Sequence, residues 1–503
     1  MISRAQIKSL IKREPGFEDI TCSLRATVKQ PKGILKESKK VMAIARKFTD
    51  EVVRPMSLEL DKKMHEDPEY LPWEYIQKVN EWGLYTMFIP KIFGGQGYSL
   101  SCLFYLLEEI GTACLAMSNL IGVHYLGYAS LISSWNMKMI DKISRDVARG
   151  EKTGEPCIIS LAITEPNAGT DSQNIELMDT GNLACHAQKT DNGYIINGTK
   201  IFISSGHLST WHIVHAYTDL KKGSENTIMF AVKTGSEGFS FGRKEKKMGQ
   251  KACVASELIF NNCFVPDENV CIDNRGLRNR SKGIWHSNEQ ILAYIWGASR
   301  IGVSSFGAGA ARGAYETALK FASETEINGQ LLINHEWCQC MLADMYINAA
   351  SARIAYTEGN YANGLYGLWK ILNLKPLYYL MKYTHVKFLD KFYMWLWNKP
   401  VMTLIFRKLC LDFQKDAETA RVDGWGSLAK VLCTDAGVKN CMMAIEIMGQ
   451  AGIRHDRRAE KILRDAKLLQ IYEGTNQINR INVFKRLIAP PYPQTEIFTA
   501  GNI

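Results

Sequence analysis

Glu473, in the segment IYEGTNQINR at 471–480, is the residue best placed by its neighbours to do chemistry. It is the lone charge between Leu468 and Asn479 and sits between Tyr472 and Gly474, so its carboxylate is poorly solvated. Desolvation raises a carboxyl pKa, and a raised pKa suits a base that removes a weakly acidic proton near neutral pH. Gly474 lets the backbone approach a ligand closely, and Thr475, Asn476 and Gln477 offer hydrogen bonds. The same residues also describe a glutamate capping a turn, and the segment alone favours that reading. A second polar, glycine-containing stretch, LAITEPNAGTD at 161–171, lies about three hundred residues upstream.

The elements that must position these segments follow an α–β–α plan. Residues 37–157 carry helical periodicity, as in SKKVMAIARKFTDEVVRPM and LPWEYIQKVNEWGLYTM, with a break at Pro90 and Gly94-Gly95. From Ile158 to 272 the texture changes to short β-like runs: CIISLAIT, GYIINGTKIFISS, WHIVHAYT, TIMFAVKT and SELIFNNCFV. Beyond Asp273 helices return in ILAYIWGASRIGVSSFGAGAARGAYETALKFASE, rich in small residues, and in WCQCMLADMYINAASARIAYTE. The expected fold class is α+β. An extension 1–36 precedes an N-terminal helical domain 37–157, a middle β domain 158–272 and a C-terminal helical bundle 273–492, which carries an insertion at 361–412.

Composition agrees with that plan. The 503 residues are 46% hydrophobic and 22% charged, ordinary for a globular protein of two or three domains. Residues 1–36 are basic and polar (Arg4, Lys8, Lys12, Arg13) and lack the apolar core of a secretory leader. Thirteen scattered cysteines without a CxxC pair suggest free thiols in a reducing cytoplasm and no metal site. Cys338 and Cys340 stand too close for a zinc knuckle. Residues 110–137 have no Lys, Arg, Asp or Glu and are long enough to span a bilayer. Ser118, Asn119, His124, Ser130 and Asn136 interrupt them, and Gly111, Gly122 and Gly127 thin their apolar density, so buried core helices are expected.

LAITEPNAGTD and YEGTNQI, in this order and at this distance, resemble the two signatures of the acyl-CoA dehydrogenase family. The resemblance covers roughly 40–357 and 415–490. It implies FAD between the β domain and the C-terminal bundle, with the acyl thioester sandwiched between flavin and base. Glu473 then takes the α-proton while the β-hydrogen leaves as hydride to flavin N5, giving a trans-2-enoyl-CoA. The enolate oxygen is stabilised in the family by the base's own backbone N–H and a flavin ribityl hydroxyl. Cofactor contacts carry over to Leu161, Ile163, Thr164, Gly169 and Thr170, then Phe202 and Ser204 in KIFISSG, and Thr475 and Gln477. Phe202 stands where a tryptophan is common. Substrate contacts carry over to Thr170, Tyr472, Gly474, Arg300 and Gly122. Some relatives carry their base on another helix beside an arginine; here that pair is Ser299-Arg300, and serine cannot serve, which leaves Glu473 alone. Arg300 is expected to order the active-site loop, and Gly122, in GVHYLG, to leave room for a longer acyl chain.

The implied function is an acyl-CoA dehydrogenase passing electrons to an electron-transfer flavoprotein. An acyl-CoA oxidase is one alternative. A nucleic-acid-binding member of the same fold is another, disfavoured because Glu473 is kept and the charge is concentrated in one segment. That segment is the insertion 361–412, with twelve aromatics, eight Lys or Arg and two Asp, hence +6 of the chain's net +10. Pro376 and Pro400 divide it into short amphipathic pieces. Such pieces suit an anionic membrane surface, with Trp369, Trp395 and Trp397 at the interface, or a subunit-contact arm. The expected location is cytoplasmic and, on the membrane reading of the insertion, peripheral at the inner membrane face. The chain departs from the family at the ADP half of the flavin site. Thr325 stands where an arginine faces the pyrophosphate, and Glu336 and Glu446 replace glutamines. Losing a cation and gaining two acids weakens pyrophosphate binding. A rewired site, a slipped alignment or a heteromeric partner would each account for it; a homo-oligomer, dimer or tetramer, is the family's usual assembly.

Overall fold

The computed structural model describes residues 3–6, 22–23, 26, 29–277, 282–383 and 389–498. Lys8, Lys12 and Arg13 of the N-terminal extension, and residues 384–388 of the insertion, lie outside the described residues. The N-terminal part is helical, through Gly33–Phe48, Arg54–Glu66, Trp73–Glu81, Leu103–Gly111, Leu115–Ser133 and Met137–Thr153. The helix Leu115–Ser133 is long and apolar enough to cross a membrane, but 89% of its apolar window is buried within the chain. Its apolar residues run all round the helix because neighbours surround it, and it forms the floor beneath the site.

An eight-stranded sheet follows: β1 (Ile159–Ala162), β2 (His186–Thr190), β3 (Gly193–Ser204), β4 (Trp211–Tyr217), β5 (Thr227–Lys233), β6 (Phe239–Lys244), β7 (Ala255–Pro266) and β8 (Val270–Ile272). Their order is β6-β7-β3-β2-β4-β5-β8, with β1 running parallel to β4. β4 is buried along its whole length, which is why WHIVHAY reads as continuous rather than alternating. The pairing of β3 with β7 shifts register between Lys200 and Ile203. That bulge places Phe202 at φ +57° with its ring exposed. Three strands escaped the sequence reading. β2 buries Ala187 alone, β6 alternates only Phe239 and Phe241 before a basic end at the sheet edge, and β8 has three residues, so each offers too short an apolar pattern to read.

The C-terminal bundle packs the 42-residue helix Gly283–Glu324 against Glu336–Tyr366 and Asp416–Met448. Its runs of glycine, alanine and serine allow close helix approach. The helix Glu336–Tyr366 continues into the insertion, which then turns at 367–374 and forms the helices Lys375–Tyr383, Asp390–Trp397 and Pro400–Arg407. These fold back on the N-terminal helices. Arg407 donates to the carbonyls of Ser134 and Cys271, and the Thr403 hydroxyl accepts the Met137 N–H. The expectation of three interfacial tryptophans is corrected here. Trp369 and Trp397 are 2% and 8% exposed and face the protein, whereas Trp395 is 56% exposed.

Candidate active site

Glu473 adopts φ +58° and Gly474 φ +78°, two successive left-handed residues. A non-glycine residue seldom holds that conformation unless its surroundings enforce it. Gly474 is needed twice over, since a Cβ there would stand 2.8 Å from the Ile478 side chain. The next residue, Thr475, caps the helix Asn476–Val483 by accepting the Ile478 N–H at 3.3 Å. A sharp turn therefore runs straight into a capped helix, and the glutamate stands at its apex.

A polar network fixes this turn from behind. The Glu473 carbonyl accepts from Arg300 Nε at 3.4 Å and from Asn479 Nδ2 at 3.3 Å. The Gly474 carbonyl accepts from Lys430 Nζ and Asn479 Nδ2, both at 2.8 Å. Lys430 also donates to Asn476 Oδ1 at 2.7 Å, and Arg300 is held by Asp423 at 2.5 Å and Ser427 at 2.9 Å. Tyr472 is anchored by a 3.3 Å hydrogen bond from Gln250 of the middle domain to its hydroxyl. Burial pushes the Lys430 ammonium down to about 7, and the Arg300 charge adds to the effect.

The front of the turn opens on a cavity of about 350 Å³ between the middle domain and the helices. The Glu473 carboxylate accepts a 2.6 Å hydrogen bond from the Ser299 hydroxyl. Burial raises its pKa above the ordinary value of 4.5, against the lowering pull of Ser299, Arg300 and Lys430. Across the cavity stand Leu161, Ile163, Thr164, Gly169, Thr170, Phe202 and Ser204. The deep end is apolar, with Leu103, Phe104, Leu107, Val123, Phe306 and Trp369. A proton acceptor thus faces an apolar slot and, on the far side, an exposed aromatic ring edged by hydroxyls. That opposite wall fits a planar ring system with a polar rim.

The loop 161–170 owes its position to a buried ion pair. Lys200 and Glu165 meet at 2.7 Å with side chains 0% and 1% exposed. Lys200 also donates to the Ile163 carbonyl, and Glu165 accepts the N–H groups of Ala184 and Cys185. Trp296 Nε1 donates to the Gln173 carbonyl at 3.0 Å, tying the short helix Thr170–Gln173, which follows this loop, to the long helix. Both buried charges thereby have a counter-charge and further hydrogen-bond partners, as burial demands.

Of the residues singled out in the sequence, Leu161, Ile163, Thr164, Gly169, Thr170, Phe202, Ser204, Tyr472, Glu473, Gly474, Thr475 and Gly122 border this one cavity. Arg300 stands behind the loop rather than against the cavity. Gln477 is exposed on the outer side of its helix, as are Glu336 and Glu446 on theirs, while Thr325 ends the long helix half-buried. The expectation for Gly122 is corrected: a Cβ there would meet Phe306 Cζ at 2.6 Å. The missing side chain is filled by Phe306, not left open to a ligand. Sequence reasoning missed Lys430, Asn479, Asp423 and Trp369 as parts of the site. The first three act through backbone carbonyls or another side chain, and Trp369 sits in the insertion; none carries a local signal. Among the described residues no group of His, Cys, Asp or Glu could hold a metal ion.

A pH-rate profile tests the electrostatics. Above its folded pKa Glu473 is the carboxylate, so if it serves as the base, turnover is expected to rise with pH through an apparent pKa above 4.5. Removing the Ser299 hydroxyl withdraws a hydrogen bond that favours the charged form, so Ser299→Ala is expected to move this limb to higher pH. An unchanged or lowered limb would contradict the assignment.

Three family models match the chain: the acyl-CoA dehydrogenase N-terminal domain over 36–151, the middle domain over 160–263, and the C-terminal domain over 293–360 and 405–488. The last skips most of the insertion. Cyclohex-1-ene-1-carbonyl-CoA dehydrogenase of Syntrophus aciditrophicus is 28% identical over 460 residues, 91% of each chain. The short-chain-specific acyl-CoA dehydrogenase of Clostridium acetobutylicum is 26% identical over 452 residues, 89% of this chain and 97% of that one. A solved structure described as the electron-transferring flavoprotein of Acidaminococcus fermentans superposes with a TM-score of 0.69 at 24% identity, covering 90% of this chain and 98% of the other. With all three of the family's domains matched, the chain belongs to the acyl-CoA dehydrogenase family, oxidoreductases acting on acyl-CoA.

Proposed function

We propose that this chain catalyses α,β-dehydrogenation of an acyl-CoA thioester to the trans-2-enoyl-CoA, with Glu473 as base. The observation behind this reading is one carboxylate of raised proton affinity facing an apolar slot and an aromatic, hydroxyl-edged wall. Glu473 takes the α-proton. The β-hydrogen leaves as hydride, and the electron pair of the broken α C–H bond becomes the new double bond. FAD, the family's flavin, supplies the two-electron acceptor when bound. Leu161, Ile163, Thr164, Gly169, Thr170, Phe202 and Ser204 would hold its ring, with Thr475 beside it. Ser299 steadies the carboxylate, and the network on Arg300, Lys430 and Asn479 keeps it at one angle, so little reorganisation is needed at reaction. The apolar deep end excludes water from the developing enolate.

Electrons are passed on to an electron-transfer flavoprotein. Likeness to a structure of that description supports this partner class. The relatives act on substrates as different as a cyclic and a short-chain acyl group by their names, so they support the reaction more than the acyl group. Self-association is supported by apolar side chains left exposed on the bundle, notably Trp337, Tyr346, Ile347 and Ile354 on one helix. Anaerobic addition of acyl-CoA to the yellow holoprotein should bleach it. Failure to bleach with any acyl-CoA would overturn the dehydrogenase reading, and rapid re-oxidation by air would favour an oxidase.

The outer side of the insertion supports docking on an anionic membrane. Phe392, Trp395, Val401, Leu404 and Leu409 are exposed there, with Lys391, Lys399 and Lys408 between them. Each well-placed lysine contributes about 1 kcal/mol near anionic headgroups, and the apolar part is not screened by salt. Anionic vesicles are expected to co-sediment the protein, and Phe392→Ser/Trp395→Ser/Leu404→Ser to cut the bound fraction on the order of tenfold. Equal, negligible binding of both proteins would refute docking.

A further inference from the structure

The insertion reaches the active site from its inner side. Trp369, in the turn 367–374, borders the deep end of the catalytic cavity, where its ring lies 5.7 Å from that of Phe104. Beyond it is a narrow gap of about 50 Å³, and beyond the gap an apolar cavity of about 240 Å³ beneath the insertion helices. Leu100 and Trp369 border both the catalytic cavity and the gap; Pro90 and Leu372 border both the gap and the second cavity. Three spaces therefore lie in a row, divided by a few side chains.

We propose that the insertion extends the acyl site, so that a long, apolar acyl tail passes Trp369 and ends in the second cavity. This deepens the acyl-CoA reading given above and rests on it. The second cavity is lined by Phe93, Ile132, Trp135, Ile140, Leu396 and Phe406, among others, a surface that matches methylenes and offers no charge. An unfilled apolar cavity of this kind forfeits contacts that a hydrocarbon tail would supply. The partition is built to yield. The Trp369 indole N–H has no acceptor among the described residues, so turning the ring breaks no hydrogen bond. Trp369 and Leu372 both lie in the turn 367–374, outside the flanking helices, and rotation of their side chains leaves the turn's own backbone bond, from the Asn373 N–H to the Trp369 carbonyl, in place. Two polar groups beside the gap are already occupied: the Tyr378 hydroxyl and Lys382 Nζ both bond to Glu37. A tail threading the gap therefore leaves their hydrogen bonds intact. The family's C-terminal domain match stops at 360 and resumes at 405, so this extension is added by the segment between.

The test compares butyryl-, octanoyl- and palmitoyl-CoA on the holoenzyme, by kcat/KM and by calorimetric binding, in wild type and two variants. Leu377→Trp fills the second cavity from its half-buried insertion side. It is expected to lower kcat/KM and affinity for palmitoyl-CoA by on the order of tenfold for every two methylenes excluded, with butyryl-CoA within about twofold of wild type. Trp369→Ala removes the partition and is expected to raise the palmitoyl-to-butyryl ratio. The proposal is overturned if Leu377→Trp leaves that ratio unchanged or depresses both substrates alike. Should no acyl-CoA be turned over, the dehydrogenase reading fails, while the binding ratio still decides the cavity.

Discussion

Glu473→Gln is expected to hold flavin and bind acyl-CoA while losing turnover by on the order of 10²–10⁴-fold. The amide keeps the shape of the side chain and an oxygen that can accept the Ser299 hydrogen bond, which is 2.6 Å in the native protein. It cannot take a proton. The loss should therefore fall on kcat, with binding nearly unchanged, because the base acts in the transition state and not in the ground state. Ser299 cannot substitute, and among the described residues no other carboxylate borders the cavity. Flavin reduction in this variant within tenfold of wild type would remove Glu473 from the mechanism.

The second large effect is on stability. Lys200→Met leaves the Glu165 carboxylate buried without its cation, and the expected cost is about 3–5 kcal/mol. That is a large fraction of the roughly 5–15 kcal/mol that holds a domain folded. The damage should centre on loop 161–170, since the lysine also bonds the Ile163 carbonyl at 2.8 Å. Pairing it with Glu165→Gln removes the stranded charge and should recover more than half of the loss in urea denaturation. A single variant within about 1 kcal/mol of wild type would show that the pair is not a structural anchor.

The sequence was most informative where chemistry leaves a local trace. A lone carboxylate between an aromatic residue and a glycine marked Glu473, and the change from helical to alternating texture near Ile158 marked the sheet. Long strands with several apolar positions were legible; β2, with Ala187 as its one buried residue, was not. What escaped was tertiary. Lys430 lies in an ordinary helical run, and only the fold brings its ammonium to the Gly474 carbonyl. Gly122 illustrates the opposite error. A small residue in the sequence announces space, but packing decides who uses it, and here Phe306 does. The insertion shows both sides at once. Its basic, aromatic composition was plain, yet composition does not say which tryptophans turn inward. Trp369 and Trp397 are buried because the helices fold back on their own domain, which turns part of a surface feature into a wall of the cavity that Glu473 borders.

Exchange of the substrate's α-hydrogen with solvent deuterium tests the role of Glu473 most directly. Acyl-CoA is incubated anaerobically in D₂O with wild type and with Glu473→Gln at equal flavin content, and deuterium at the α-carbon is followed by mass spectrometry. Wild type is predicted to incorporate it, and the variant to do so slower by on the order of 10²–10⁴-fold. Incorporation by both at similar rates would contradict proton abstraction by this carboxylate.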